Sequence, residues 1–274
     1  MDIMTEKQII GKINSGQLFA AEIEHGGFQV RVNHWNPALA TAIHDGHRVI
    51  EALADKMKVS DTERRFEEDP HTGTIAETMA ISITVLNSRY CGDLNRPEDR
   101  CVYDDAWGKQ VWKEPLAPEE RELLLDWHRS YYRVLDALLA NLVERFGAAV
   151  LYDLHSYNYE RIKGAAPLFN IGTHFIDINK YEPIIDNLVG KLQAISVPGC
   201  ENRTVLDEVF MGKGYQAAFT HRDHPDVLCV PLELKKVFMD EQSFAIKREV
   251  YEPLFAGTAQ ALQANAEFFM HWNG

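Results

Sequence analysis

Two histidines stand where apolar runs stop. Ala148-Ala149-Val150-Leu151 leads through Tyr152-Asp153-Leu154 into His155-Ser156, and Ala40-Thr41-Ala42-Ile43 leads into His44-Asp45-Gly46-His47. An uncharged run that ends abruptly in polar side chains reads as a buried parallel strand, and ligands in open α/β sheets bind beyond the carboxyl ends of such strands. Taken alone, either histidine fits a hydrogen-bonded strand end as well as a metal ligand or a general base. Two such ends far apart in sequence point to one shared site. A third run, Val227-Leu228-Cys229-Val230-Pro231-Leu232-Glu233-Leu234, holds a carboxylate among apolar neighbours. A carboxylate there is costly unless paired or functional, which makes Glu233 the strongest candidate for a general base.

Between the two histidine-bearing runs lies Arg64-Arg65-Phe66-Glu67-Glu68-Asp69-Pro70-His71-Thr72-Gly73, a polar turn dense in carboxylates. A solvated acidic loop is the ordinary reading of such a stretch. Its position instead favours one acid as the third member of a metal site, with Pro70 holding the residue before it extended. His47, three residues beyond His44, stays as an alternative ligand. Two histidines and one carboxylate with an open position describe a catalytic zinc site, in which the metal polarises a carbonyl and activates water near neutral pH. Arg89 and Arg96 stand out in an acidic chain, and Arg96 lies between Asn95 and Pro97, a stiff backbone suited to clamping a carboxylate. No Gly-x-Ser-x-Gly elbow surrounds Ser156, and Gly212-Lys213-Gly214-Tyr215 is too short for a phosphate loop.

The elements that must position these residues read as alternating strands and helices. Residues 1–39 look like short β structure around Leu18-Phe19-Ala20-Ala21 and Phe28–Val32, followed by a helix over 48–58. Ile81–Val85 forms a short strand, and residues 98–117, with Trp107 and Trp112, form a long connection, a lid or insertion over the cleft. An amphipathic helix spans 118–146, a strand ends at Asn170-Ile171-Gly172-Thr173, and further helices are expected over 180–195, 204–211 and 247–269. Ala217-Ala218-Phe219-Thr220 reads as a strand that ends in His221-Arg222. With no internal repeat or low-complexity linker, residues 1–274 are expected to form one α/β domain, a three-layer α/β/α sandwich around a mainly parallel mixed sheet.

Composition narrows the partners. The 274-residue chain, with 46% hydrophobic and 25% charged residues, can bury a core of its own. Its formal charge of -13 argues against nucleic acid or an anionic membrane, so any anionic substrate must be met by local cations. Four cysteines without Cys-x-x-Cys spacing, no apolar run near the roughly 20 residues of a membrane helix and no signal-peptide core fit a reducing cytoplasm. A homo-oligomer is compatible with the sequence.

Taken in order, these fragments resemble the N-formylglutamate amidohydrolase (N-formylglutamate deformylase) family. The resemblance rests on the strand into His44 with Gly46, the Glu67–Thr72 turn, Asp93-Leu94-Asn95-Arg96, Asp153-Leu154-His155-Ser156, Asn170-Ile171-Gly172-Thr173, Thr220-His221-Arg222 and Leu232-Glu233-Leu234. It implies a zinc-carboxypeptidase-like fold and hydrolysis of the amide of a small N-acyl amino acid, most simply N-formylglutamate in histidine breakdown. It further implies one zinc ion on His44, His155 and an acid of the 67–69 turn, with Asp69 ahead of Glu67 and Glu68, and Glu233 as base. Arg96 with Asn95, and Arg222 with His221, are then expected to contact the anionic substrate. The second histidine of His44-Asp45-Gly46-His47 and the segment around Trp107 and Trp112 depart from the family pattern. A related amidase acting on another acyl amino acid, and a metal-binding homologue without turnover, remain the alternatives.

Overall fold

In the computed structural model, which describes residues 1–272, the chain opens with β1 (Asp2–Met4) and α1 (Glu6–Asn14). Strands β2 (Phe19–Ile23), β3 (Phe28–Val32) and β4 (Ala38–Ala42) follow, then the short helices α2 (Asp61–Glu67) and α3 (Thr72–Ala76) and strand β5 (Ile81–Val85). A small hairpin of β6 (Asp105–Ala106) and β7 (Lys109–Gln110) precedes the long helix α4 (Pro118–Phe146). The remainder runs β8 (Ala149–Tyr157), β9 (Phe169–Ile171), α5 (Ile178–Gln193), β10 (Thr204–Leu206), α6 (Tyr215–Asp223), β11 (Val227–Lys235) and α7 (Arg248–His271).

Nine strands form one sheet in the order β1-β2-β3-β5-β4-β8-β11-β9-β10. Its centre, β5-β4-β8-β11, is parallel, while β2-β3, β3-β5 and β11-β9 pair antiparallel, so the sheet is mixed. Alternation along β8 explains how both faces are filled. Val150, Tyr152 and Leu154 pack with α5 and α7 on one side, and Ala149 and Leu151 pack with α1 and α4 on the other. Every residue of β8 is buried, as a central parallel strand covered on both faces requires. This is the expected α/β layering. Among the described residues, no helix is long and apolar enough to cross a membrane.

Register does the positioning. Glu233 pairs with His155 across β11 and β8, and Thr41 pairs with Asp153 across β4 and β8. The polar ends of three neighbouring strands therefore meet at one edge of the core.

Four local expectations fail. The N-terminal region contains α1, closed by a Thr5–Gln8 capping box and burying Ile9 and Ile13 one turn apart. The helix expected over 48–58 is a 3₁₀ segment, Glu51–Lys56, with Leu53 alone buried. Residues 204–211 begin as β10 on the edge of the sheet, because Thr204–Leu206 pair with β9. Residues 217–220 belong to α6, since Ala217 and Phe219 pack on the α4 face from a helix that starts at Tyr215, with Gly214 as its N-cap. In the 98–117 segment, Trp112, Cys101 and Val111 make a small core of their own with Leu53, Met57 and Tyr90.

Candidate active site

His44 lies just past the end of β4, and His155 lies on β8 two residues after Asp153, on the face turned toward α4 and α6. Asp69 comes from the turn between α2 and α3. Its backbone N–H donates to the His44 carbonyl at 2.9 Å, which fastens that turn to the strand end. Asp69 Oδ2 lies 3.3 Å from His44 Nδ1 and 3.2 Å from His155 Nδ1, and the two imidazole centroids are 5.0 Å apart. One ligand atom from each of the three residues falls within 4.8 Å of the others, and all three side chains are buried. The outer ring nitrogens are also engaged: His44 Nε2 meets Asp93 Oδ1 at 2.8 Å, and His155 Nε2 meets Asp153 Oδ1 at 3.1 Å. Asp93 is held in turn by Arg89 at 3.1 and 2.8 Å and by the Tyr103 hydroxyl at 2.6 Å. Asp153 is reached by Thr41, which accepts from Gln216 at 2.7 Å, and Tyr131 donates to Gln216 at 2.5 Å.

This arrangement matches the chemistry of a metal-binding donor set. A carboxylate on the outer nitrogen keeps the N–H there and turns the inner lone pair toward the centre, the usual support of a histidine ligand. Two imidazole nitrogens and a carboxylate oxygen then converge as three donor atoms that could hold one cation. The set suits zinc and leaves room for a further ligand. Burial disfavours the Asp69 carboxylate, but His155, His44 and Lys236 outweigh it and hold its pKa below the ordinary range. Burial likewise opposes charge on His155, yet Asp153, Asp69 and Glu233 around it raise its pKa well above the ordinary value. Glu233 faces the same space and is pushed up to about 7, by burial first and by Asp69 and Asp153, against the pull of His155. A cavity of about 510 Å³ opens onto His44, Asp69, His155 and Glu233 and is rimmed by Asn95, Arg96 and Trp107.

The sequence profile of the N-formylglutamate amidohydrolases matches residues 36–239, from β4 to just beyond β11, and takes in every residue of this site. The chain belongs to that family. It is 28% identical over 251 residues to the N-formylglutamate deformylase of Pseudomonas aeruginosa, covering 83% of this chain and 92% of that one. It is 29% identical over 256 residues to the N-formylglutamate deformylase of Pseudomonas putida, covering 83% and 91%. Among solved structures, the N-formylglutamate amidohydrolase of Ralstonia eutropha JMP134 superposes with a TM-score of 0.71 at 16% identity, over 88% of this chain and 97% of that one. A protein from Agrobacterium tumefaciens superposes with a TM-score of 0.66 at 14% identity, over 89% and 96%. Both structures share the fold of this amidohydrolase.

Within the amidohydrolase site, the acids of the turn separate cleanly. Glu68 bonds Ser88 and His47, Glu67 bonds Arg161 at 2.9 Å, and Asp69 alone reaches the two histidines. His47 is turned away, held between Glu68 and Asp61 at 2.5 Å each. Asn95 and Arg96 line the cavity, and Asn95 Oδ1 is buried there without a hydrogen-bond partner. Arg222 and His221, expected to contact the substrate, do not line it. Because 215–223 is helical, Arg222 pairs with Asp223 at 2.6 Å on the surface, and His221 Nε2 meets the Cys229 carbonyl at 3.2 Å. Asp93 and Asp153, which carry no role on sequence grounds, lie with their carboxylates against the histidines. Lys236 is a residue of the site that the sequence pattern does not single out. It is buried, donates to the Glu68 carbonyl at 2.5 Å and lies 3.8 Å from Asp69, and its only sequence signal is a lysine just past an apolar strand.

Proposed function

We propose that this chain hydrolyses N-formylglutamate to formate and glutamate in the cytoplasm, with one zinc ion held by His44, Asp69 and His155. The observation that carries the reading is the register pairing of Glu233 with His155, which puts a carboxylate beside the convergent donor atoms. A zinc ion in that position supplies Lewis acidity toward a carbonyl oxygen and toward water. Glu233, raised to about 7 chiefly by burial, is suited to take the proton of the attacking water and pass it to the amine nitrogen as the C–N bond breaks. Asn95 and Arg96 hold a substrate carboxylate on the cavity wall, so that the amide is presented to Glu233. Arg89 and Tyr103 keep Asp93 in place against His44, and the Tyr131-Gln216-Thr41 chain does the same for Asp153 against His155.

Metal analysis of the purified protein, coupled to formate release from N-formylglutamate before and after chelation, tests this reading. We expect one equivalent of zinc, activity lost with the metal and restored by zinc. Undiminished formate release from metal-free protein, or none from the zinc form, contradicts it.

A further inference from the structure

The cavity contains more positive charge than the reacting centre uses. Arg89 is engaged with Asp93, Arg161 donates to Glu67 at 2.9 Å, and Lys236 sits 3.8 Å from Asp69. Two cations of the lining remain without an acidic partner among the described residues. Arg96 has only a 3.0 Å bond to the carbonyl of its neighbour Asn95, and Lys213 has no ion pair.

Lys213 is carried by a segment whose backbone is fixed on both sides. The buried Asn170 pairs in register with Glu233, and its Oδ1 accepts from the N–H groups of Glu208, Val209 and Phe210 at 3.1, 2.8 and 3.4 Å. Its amide donates back to the Phe210 carbonyl at 2.7 Å. Further along, His174 N–H donates to the Met211 carbonyl at 3.0 Å, and Tyr215 N–H donates to the Asn95 carbonyl at 3.2 Å. The glycines on either side of Lys213 are required by these close approaches. Gly212 has a φ of 72° and lies against Gly172, and a Cβ on Gly214 would fall 1.9 Å from Asn95 Oδ1. The loop thus presents one long cation beside Asn95 and Arg96, on a backbone with little freedom to move.

An acyl amino acid with an acidic side chain carries two carboxylates. With the acyl amide at Glu233 and one carboxylate at Arg96, the second needs a cation of its own in a chain whose formal charge is -13. We propose that Lys213 binds this second carboxylate and selects acidic over neutral acyl amino acids. The proposal rests on the acyl-amino-acid reading given above.

The test compares wild type, Lys213→Met and Lys213→Arg on N-formylglutamate and on its neutral isostere N-formylglutamine. Loss of one charge-assisted hydrogen bond predicts that Lys213→Met lowers kcat/KM for N-formylglutamate about ten- to a hundredfold, through KM. N-formylglutamine should be cleaved as by wild type, and Lys213→Arg should recover most of the loss. An equal loss on both substrates, or none on either, overturns the proposal. Calorimetric binding of glutamate and glutamine to the same proteins separates this inference from the reaction itself. A loss of affinity confined to glutamate in Lys213→Met upholds Lys213 even if wild type releases no formate, a result that sinks only the deformylase reading; equal affinities in wild type and variant reject Lys213.

Discussion

Strands β8 and β11 pass from one kind of interior to another within a few residues. Their first halves, Val150 to Tyr152 and Leu228 to Val230, are fully buried and carry no carboxylate or cation. Their second halves hold Asp153, His155 and Glu233, with Asp153 and His155 buried almost as deeply. In the first region each side chain gains from apolar area removed from water, largely independently of its neighbours. In the second, side chains are held by specific counterparts: His155 by Asp153 and Asp69, His44 by Asp93, Asp93 by Arg89. One end of the strand therefore tolerates losses one at a time, while the other works as a unit.

Substitutions at the two ends should separate stability from chemistry. Asp69→Ala removes one of the three converging donors, and we expect zinc to be lost on dialysis. Several kcal/mol of transition-state stabilisation go with it, so turnover should fall about a thousandfold or more; stoichiometric zinc in that variant would remove Asp69 from the donor set. At the apolar end, Leu151→Ala should cost about 2–5 kcal/mol in denaturant unfolding and leave kcat of the folded fraction unchanged. A large kcat loss there would show that the two regions are not separable. Asp153→Asn keeps the shape of the site but weakens the support of His155, and zinc affinity measured by competition should drop about ten- to a hundredfold.

The smallest effect is expected from His221, which burial keeps below its ordinary pKa despite its bond to the Cys229 carbonyl. Protonation is harder in the folded protein than in the unfolded chain, so this contribution to stability is present above the unfolded value of 6.5 and is lost as pH falls through the lowered folded value. His221→Gln should flatten the fall of the melting temperature between pH 7 and pH 5 while leaving KM for N-formylglutamate unaltered. A raised KM would return His221 to the substrate site.

What could be read from the sequence follows the same division. Strands β8 and β11 were legible because an uninterrupted apolar run stopping at Asp153-Leu154-His155, or interrupted by Glu233, has few physical explanations. Helix α4 was legible from its long periodicity, with Pro118 at its start and Gly147 at its end. Short apolar runs were not. Ala217–Thr220 carries the same hydrophobicity as a strand or as one turn of helix, and only its packing on the α4 face decides. Residues 204–211 form an edge strand of three residues and then a loop whose backbone amides are collected by Asn170, a partner far away in sequence. In the site, His44, His155 and Glu233 announced themselves by breaking apolar patterns. Gln216 and Thr41 are buried polar residues with ordinary sequence surroundings, and only the fold brings them behind Asp153.

In the proposed reaction Glu233 moves the proton at a centre assembled by His44, Asp69 and His155. Formate release from N-formylglutamate by Glu233→Gln, with zinc determined on the same sample, tests it most directly. We expect zinc retained at the wild-type level and turnover reduced about 10²- to 10⁴-fold. Turnover at the wild-type rate with zinc in place would contradict it.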